Sequence, residues 1–376
     1  MSQWIKTKLG EIVILNYGNA LKAQDRNAGS IPVYSSGGLT GWHNKALINE
    51  QGIIIGRKGT VGKAYLTYGP FWCIDTAYYI LPNPSKYDFV FLFYLLKTLG
   101  LEELNEDSAV PGLNRDTAYS QEILLPSLPE QKAIASVLSS LDDKIDLLHR
   151  QNKTLESMAE TLFRQWFIED AQIHWTEKKL SSFGSIICGK TPSKKNSLYF
   201  GNDVPFLKIP DMHGKVFVFK STDNLSFAGE HSQSKKTIPP GSICVSCIAT
   251  VGLVCITDVS MQTNQQINSI IPNKEYYKYF LYLLMKSMGD ELNNLASGGT
   301  ATLNLNTGDF SNITFLSPSE NELKIFHQSI SSLFDKLKFN SKQINIIENL
   351  RDTLLPKLMS GEVQVQYVEE AIASVA

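Results

Sequence analysis

Twice in this chain, apolar residues recur at alternating spacings of four and three, the seam of a coiled-coil helix, and the two seams lie 192 residues apart. The first runs through Ile134, Leu138, Leu141, Ile145, Leu148, Asn152, Leu155, Ala159, Leu162 and Trp166. The second runs through Phe326, Ile330, Leu333, Leu337, Asn340, Ile344, Ile347, Arg351, Leu354 and Leu358. Patterns of this length demand two helices of about 40 residues, each roughly 60 Å long at 1.5 Å per residue. If they run antiparallel with partners summing to residue number 492, Ile145 meets Ile347, Leu155 meets Leu337 and Asn152 meets Asn340. A buried asparagine facing hydrocarbon loses its hydrogen bonds, so placing the two together satisfies both and penalises other registers. Ala159 then opposes Leu333, and the weak pair is Leu141 against Arg351.

The rest of the chain is duplicated as well, with copies about 190 residues apart. Trp4-Ile5-Lys6-Thr7-Lys8-Leu9 answers to Trp175-Thr176-Glu177-Lys178-Lys179-Leu180, and Ile31-Pro32-Val33-Tyr34 to Val204-Pro205-Phe206-Leu207. Thr60-Val61-Gly62 matches Thr250-Val251-Gly252, Pro82 matches Pro272, and Phe93-Tyr94-Leu95-Leu96 resembles Leu281-Tyr282-Leu283-Leu284. Each copy then has a glycine-containing loop running into Leu-Asn, at Pro111-Gly112-Leu113-Asn114 and at Gly298-Gly299-Thr300-Ala301-Thr302-Leu303-Asn304. The preserved order of these matches is what identifies a duplication.

Within a copy, short β-like runs broken by Gly, Pro, Asn and Ser give way to one long helix. Expected strands include Ile12 to Leu15, Gly52 to Gly56 and Tyr78 to Leu81 in the first copy, with Lys215 to Lys220 and Gln266 to Ile271 in the second. A mostly apolar helix in each, Asp88 to Leu104 and Glu275 to Leu295, is expected to pack on the sheet. The fold class is therefore α+β, a β-rich module followed by a long helix, twice. The expected divisions are 1–127 and 172–318 for the modules, 128–171 and 319–361 for the helices, and a tail at 362–376. Ser127-Leu128-Pro129-Glu130 and Ser319-Glu320-Asn321-Glu322 have the spacing of a capping box, and Gly361 marks a helix stop.

Composition excludes several classes. A chain of 376 residues with 43% hydrophobic and 19% charged residues is long enough for two or three globular domains. The densest apolar run, Phe89 to Leu96, is far short of a membrane span, and Met1-Ser2-Gln3-Trp4-Ile5-Lys6 lacks the pattern of a secretion signal, so a cytoplasmic location is expected. Five cysteines without framework spacing fit reduced thiols. Cys244 and Cys247 have CxxC spacing but sit in a strand-like run and read as core residues rather than as a metal or redox site. There is no Asn/Asp-Pro-Pro-aromatic methyltransferase motif, no phosphate loop and no His-Glu-x-x-His helix, so no catalytic residue is assigned and no metal site is expected. The net charge of -2 does not by itself advertise nucleic acid.

On these segments the chain resembles the specificity subunits of Type I restriction-modification systems. The resemblance is carried by Leu124-Leu125-Pro126-Ser127-Leu128-Pro129-Glu130-Gln131 at the start of the first long helix and by Leu354-Leu355-Pro356-Lys357-Leu358-Met359-Ser360-Gly361-Glu362 at the end of the second. The Ile-Pro opening and the Gly59-Thr60-Val61-Gly62 loop add to it, whereas Pro318-Ser319-Glu320-Asn321-Glu322 departs from the family's Pro-Glu-Gln. The resemblance implies two target-recognition domains, each reading half of a split double-stranded DNA target, with the helices as spacer. It also implies two flanking adenine-methyltransferase subunits and restriction/translocase subunits as partners. S-adenosylmethionine, ATP and Mg²⁺ would belong to those partners, with none held by this chain. Two other readings stay open: an adaptor whose coiled coil holds two ligand-binding β-rich domains, and a stand-alone nuclease.

Candidate DNA contacts in the first domain are Arg57, Lys58 and Thr60, where a guanidinium suited to the guanine edge and a phosphate-binding ammonium flank glycines. Ser35 and Ser36, and Asn114 with Arg115, lie on turn-rich loops and are further candidates; the alternative is an ordinary solvated loop. His43 beside Trp42 reads as local packing. The second domain has no arginine between Trp175 and Ser319, and thirteen lysines against ten acids give it +3, while the first is balanced at eleven of each. Its candidates are Lys190, Lys194 and Lys195 for phosphate, Lys208 by its correspondence to Ser35, and Asn264 and Gln265 for adenine edges. A solvated charged face is the alternative here too.

Overall fold

The computed structural model describes residues 4–104, 112–172, 174–297 and 303–366. Pro111, the segment from Gly298 to Thr302, the first three residues and the tail beyond 366 lie outside the described residues. The chain divides into two compact units, Met1–Asp146 with Asn345–Ala376, and Leu147–Ile344. Each unit therefore holds one β-rich domain together with half of both long helices.

In the first unit, Ile5–Lys8 pairs antiparallel with Glu122–Leu125, bringing the start and end of the domain together. Between them lies a four-stranded sheet ordered Asn16–Tyr17, Ala77–Ile80, Gly52–Gly56, Ala64–Thr67, and a three-stranded one ordered Gly38–His43, Ile31–Ser35, Trp72–Cys73. The run Ile53-Ile54-Ile55 does not alternate with polar residues because both its faces are covered. Ile53 and Ile55 join the core formed with helix Phe89–Thr98 and with Ile134, Leu138 and Leu358 of the long helices, while Ile54 joins a second cluster with Phe71 and Cys73. Helix Phe89–Thr98 begins where Asp88 accepts from the Phe91 backbone N–H at 2.9 Å, and the chain turns through Gly100 at φ +62.

The second unit repeats the plan. Thr176–Lys179 pairs with Thr314–Ser317. A five-stranded sheet runs Gly184–Cys188, Ile267–Pro272, Ile243–Ser246, Val254–Thr257, Phe217–Val218, and a three-stranded sheet runs Asn224–Leu225, Phe200–Leu207, Gln262–Thr263. Helix Lys278–Ser287 buries Tyr279 to Met285 in a core shared with Ala159, Phe163, Phe326, Ile330 and Phe334 of the long helices.

The long helices are Leu128–Arg164 and Glu320–Met359, and they run antiparallel in the expected register. In the second unit the Trp166 and Phe326 rings pack tilted at 5.5 Å, and Asn152 bonds to Ser341; in the first, Asp142 meets Arg351 and Ile134 shares a core with Leu358. All these pairs sum to 492 or within one of it. The asparagine pair is corrected in detail. Each amide reaches past its expected partner, Asn152 Nδ2 donating to Ser341 Oγ at 3.2 Å and Asn340 Nδ2 to Gln151 Oε1 at 3.3 Å, and both Oδ1 atoms are buried with no donor among the described residues. Arg351 likewise escapes Leu141 by extending to Asp142 Oδ1 at 2.6 Å, where Tyr94 also donates its hydroxyl at 2.6 Å to Oδ2.

Three local expectations change. Ile12 to Leu15 is not a strand: Leu9–Ile12 is a helical turn, and the Leu15 N–H is taken by the Tyr119 hydroxyl at 2.9 Å rather than by a neighbouring strand. Of Lys215 to Lys220 only Phe217–Val218 pairs. The helix expected from Glu275 to Leu295 breaks at Met288 into Lys278–Ser287 and Gly289–Ala296. Among the described residues no helix is long and apolar enough to cross a membrane.

Candidate nucleic-acid interface

In each domain most of the candidate residues gather around one short turn that ends the three-stranded sheet and begins the next strand, Lys194 and Lys195 standing apart from it. In the first domain it is Ile74-Asp75-Thr76. Ile74 N–H donates to Tyr34 O, Asn19 N–H to Cys73 O, Ser36 N–H to Thr76 Oγ1 at 3.3 Å, and the N–H groups of Arg57 and Lys58 to Thr76 O at 3.0 Å. Leu113 N–H closes the other side on Arg57 O at 2.8 Å. Five loops distant in sequence thus meet, and all of these bonds but that to Thr76 Oγ1 join backbone to backbone, largely irrespective of the side chains displayed.

Ser35, Ser36, Arg57, Lys58, Thr60, Asn114 and Arg115 all fall in this place. Tyr17, Arg57, Lys58, Tyr78, Asn114 and Arg115 line a polar cleft of about 340 Å³. The Arg57 guanidinium lies 4.9 Å from the Tyr17 ring centroid and 5.7 Å from that of Tyr78, and its Nη1 donates to Asp75 O at 3.1 Å. Arg115 approaches Tyr17 at 5.3 Å. Such contacts hold a cation over a ring by about 0.5–1 kcal/mol at exposed sites. Among the described residues neither guanidinium has a carboxylate partner within ion-pair distance. Burial first, then the neighbouring Tyr17 hydroxyl, raises the Tyr78 phenol above its ordinary value, with Arg57 opposing, and the Tyr78 hydroxyl donates to Leu113 O at 3.1 Å. Lys58 and Thr60 are exposed, whereas Ser36 is buried and Asn114 uses its Oδ1 to cap helix Arg115–Tyr119 at Asp116 N–H, 2.8 Å. His43 is buried, accepts from Asn27 N–H and packs edge-on against Trp72 rather than Trp42.

The second domain repeats the frame around Asn264-Gln265-Gln266. Asn264 N–H donates to Leu207 O, Lys190 N–H to Thr263 O at 2.9 Å, Cys247 N–H to Gln266 O at 2.8 Å and Leu305 N–H to Cys247 O at 2.8 Å. Two consequences follow. Lys208 is confirmed as the counterpart of Ser35, since each follows the strand residue bonded to the turn. The Leu-Asn match is corrected: Leu305-Asn306, not Leu303-Asn304, is equivalent to Leu113-Asn114, because Leu305 makes the same bond and Asn306 caps the following helix at Asp309 N–H.

Leu-Asn is kept at the helix cap, but the side chains that surround the cleft differ on the second frame. Cys247 stands where the first domain has Arg57, Cys188 where it has Tyr17, Asn268 where it has Tyr78 and Thr307 where it has Arg115. Asn268 takes over the Tyr78 bond, donating to the Leu305 carbonyl at 3.5 Å. Charge moves to the neighbouring segment, where Lys190, Lys194 and Lys195 are exposed and Thr191 donates to Gln265 Oε1 at 2.7 Å. Lys208 is paired with Asp223 at 2.5 Å, and Asn264 is buried with its amide bonded to Gln266, so Gln265 is the amide that faces solvent. Cys244 and Cys247 enter different cores, one on each side of the sheet, which separates them as ligands; burial pushes the Cys247 thiol up to about 11.

The backbone turn is held in left-handed conformation at Gly59, φ +81, and at its counterpart Ala249, φ +65, the one non-glycine residue with positive φ among those described. Sequence reasoning found the loop through its glycines but missed Tyr17, Tyr78 and Thr76, which no local motif marks.

The chain matches the family described as Type I restriction modification DNA specificity domain over residues 1–157 and again over 172–349. It belongs to that family. It is 37% identical to the Type I restriction enzyme HindI specificity subunit of Haemophilus influenzae across 78% of this chain and 81% of the relative, and 29% identical to the MjaIX specificity subunit of Methanocaldococcus jannaschii across 73% and 69%. Among solved structures, the Type-I restriction-modification S subunit from M. genitalium superposes with a TM-score of 0.63 at 18% identity, covering 95% of this chain and 96% of that one, a likeness of fold. In this Type I specificity chain, the two family matches each take in one copy of the backbone frame.

Proposed function

We propose that this chain is the DNA-reading subunit of a Type I restriction-modification assembly, and that each domain reads one half of a split, asymmetric double-stranded target. The observation that carries the reading is one backbone frame kept twice under unlike side chains: cationic and aromatic in the first domain, amide-bearing and lysine-flanked in the second. A conserved frame with exchanged surface groups is what two specificities on one scaffold require, because phosphate contacts position a protein while base-edge contacts specify the sequence. The long helices act as the spacer between half-sites. Two methyltransferase subunits and restriction/translocase subunits are the partners in this reading, and S-adenosylmethionine, ATP and Mg²⁺ are theirs to bind. The balanced charge of the first domain and the +3 of the second leave part of the attraction to DNA to those partners.

The test is to map methylated adenines by single-molecule sequencing in cells carrying the methyltransferase subunit with and without this chain. A bipartite asymmetric motif seen only with the chain is the expected result. Methylation independent of the chain, or a single continuous palindrome, would refute the reading and favour an adaptor role.

A further inference from the structure

Arg57 is the arginine whose own backbone closes the shared frame, and its surroundings differ from those of a solvated side chain. Its backbone is fixed on both sides, N–H to Thr76 O and C=O from Leu113 N–H. Its guanidinium rests against two neighbouring tyrosine rings, whose centroids are 5.1 Å apart, and Nη1 is directed by the Asp75 carbonyl. A guanidinium has five N–H donors in a rigid fork, so one bond to Asp75 orients the group while leaving the fork able to make two parallel bonds. Arg115 brings a second positive charge over the same ring, at the mouth of the same cleft.

We infer that this cleft is the base-discriminating point of the first domain, with Arg57 reading a guanine edge, Tyr17 acting as the positioning residue that holds it, and Arg115 gripping the adjoining phosphate. The inference rests on the proposed DNA-reading function and assigns it to named atoms. A ring-supported fork delivers the O6/N7 edge of guanine at low entropic cost, whereas the phosphate contact needs only charge. The second domain, with Cys247 and Cys188 in the two positions, has no equivalent reader there and must discriminate through its own turn, where Gln265 is exposed.

The experiment uses the assembled methyltransferase complex and a duplex library randomised at both half-sites, sequencing the methylated fraction. The expected outcome is a guanine at one position of the first half-site for the wild type. Arg57→Gln should lose roughly 5- to 150-fold of that preference and leave the second half-site unchanged. Arg57→Lys keeps the charge and should still lose the guanine preference; it is the second variant if the glutamine complex does not assemble. Tyr17→Ala should weaken the same single preference, with Tyr17→Phe retaining it. Arg115→Gln should lower affinity for all sequences alike and reduce the salt slope by about one. A first half-site without guanine, or unchanged preferences in both Arg57 variants, overturns the inference while the bipartite motif stands. Loss of any bipartite motif in the wild type overturns the DNA-reading function as well.

Discussion

Trp175 donates its indole N–H to Glu322 Oε1 over 3.2 Å, and Trp4 donates to Glu130 Oε1 over the same distance in the other unit. Glu322 also closes the capping box of its helix: its Oε2 accepts from Ser319 N–H at 2.7 Å, and its own N–H donates to Ser319 Oγ at 3.3 Å. One carboxylate therefore joins the residue just before a domain's first strand to the first turn of the helix that follows the domain. Trp175→Phe keeps the packing against Phe167 but loses the bond, and should cost about 1–2 kcal/mol, measured as a lower denaturant midpoint for the second unit.

The same carboxylate gives a pH dependence. Burial acts to raise the Glu322 pKa, but the bonds from Ser319 and Trp175 outweigh it and the net shift is downward. A folded pKa below the unfolded one means that the stabilisation is present above the ordinary glutamate range near 4.3 and is lost as pH falls through the lowered value. Glu322→Gln should flatten that part of the acid limb in melting curves recorded below about pH 5. An unaltered acid limb would show that the carboxylate is not a contributor.

The two seam asparagines should be dispensable for stability and needed for register. Their Oδ1 atoms are buried without donors among the described residues, so replacing both Asn152 and Asn340 by Leu should raise the melting temperature, with a gain in unfolding free energy of about 1–3 kcal/mol. Register slippage should accompany it, seen as loss of a single set of cross-links between paired cysteines introduced along the seam.

Ala249 carries a conformation that suits glycine. Ala249→Gly should relieve about 1–2 kcal/mol of left-handed strain against about 0.5–1 kcal/mol of added chain entropy, a net gain of about 0.5 kcal/mol. Gly59→Val in the first domain should destabilise by at least the same strain, read by thermal unfolding of each variant beside the wild type.

The spacer reading makes a metric prediction. Removing one heptad from each long helix at matched seam positions shortens the span by about 10 Å, equal to about three base pairs at 3.4 Å each. The methylated motif should keep both half-sites and lose about three unread pairs between them; altered half-sites would contradict the spacer role.

Much of the architecture was legible because periodicity is local. The seam positions around Asn152 and Asn340, the stop at Gly361 and the strand Gly52–Gly56 follow from spacing and from residue type alone. The asparagine bonds were only half legible, since helix register places residues within reach but side-chain rotamers decide whether Asn152 meets Asn340 or Ser341. The run Ile12 to Leu15 is continuously apolar and mostly β-branched like a buried strand, yet its backbone partner is a tyrosine hydroxyl more than 100 residues away, which no pattern announces. The same limit applies at the cleft. Arg57 was visible as a cation between glycines, but Tyr17 and Tyr78 reach it through sheet pairing, and pairing is a property of the whole domain. In the second copy, Leu303-Asn304-Leu305-Asn306 offers two identical dipeptides, and only the bond from Leu305 to Cys247 selects between them.

The pairing of Ile5–Lys8 with Glu122–Leu125, and of Thr176–Lys179 with Thr314–Ser317, gives each domain a doorway in which the incoming and outgoing chain stand side by side. A gene encoding such a domain is a cassette with its two cut points adjacent in space though far apart in sequence. Recombination with crossovers just outside those strands would transplant an intact domain without disturbing the helices, and would exchange one half of the target as a unit. A chimaera made that way should methylate a motif whose two halves come one from each parent, and an unrelated motif would show that the doorway does not isolate the domain it serves.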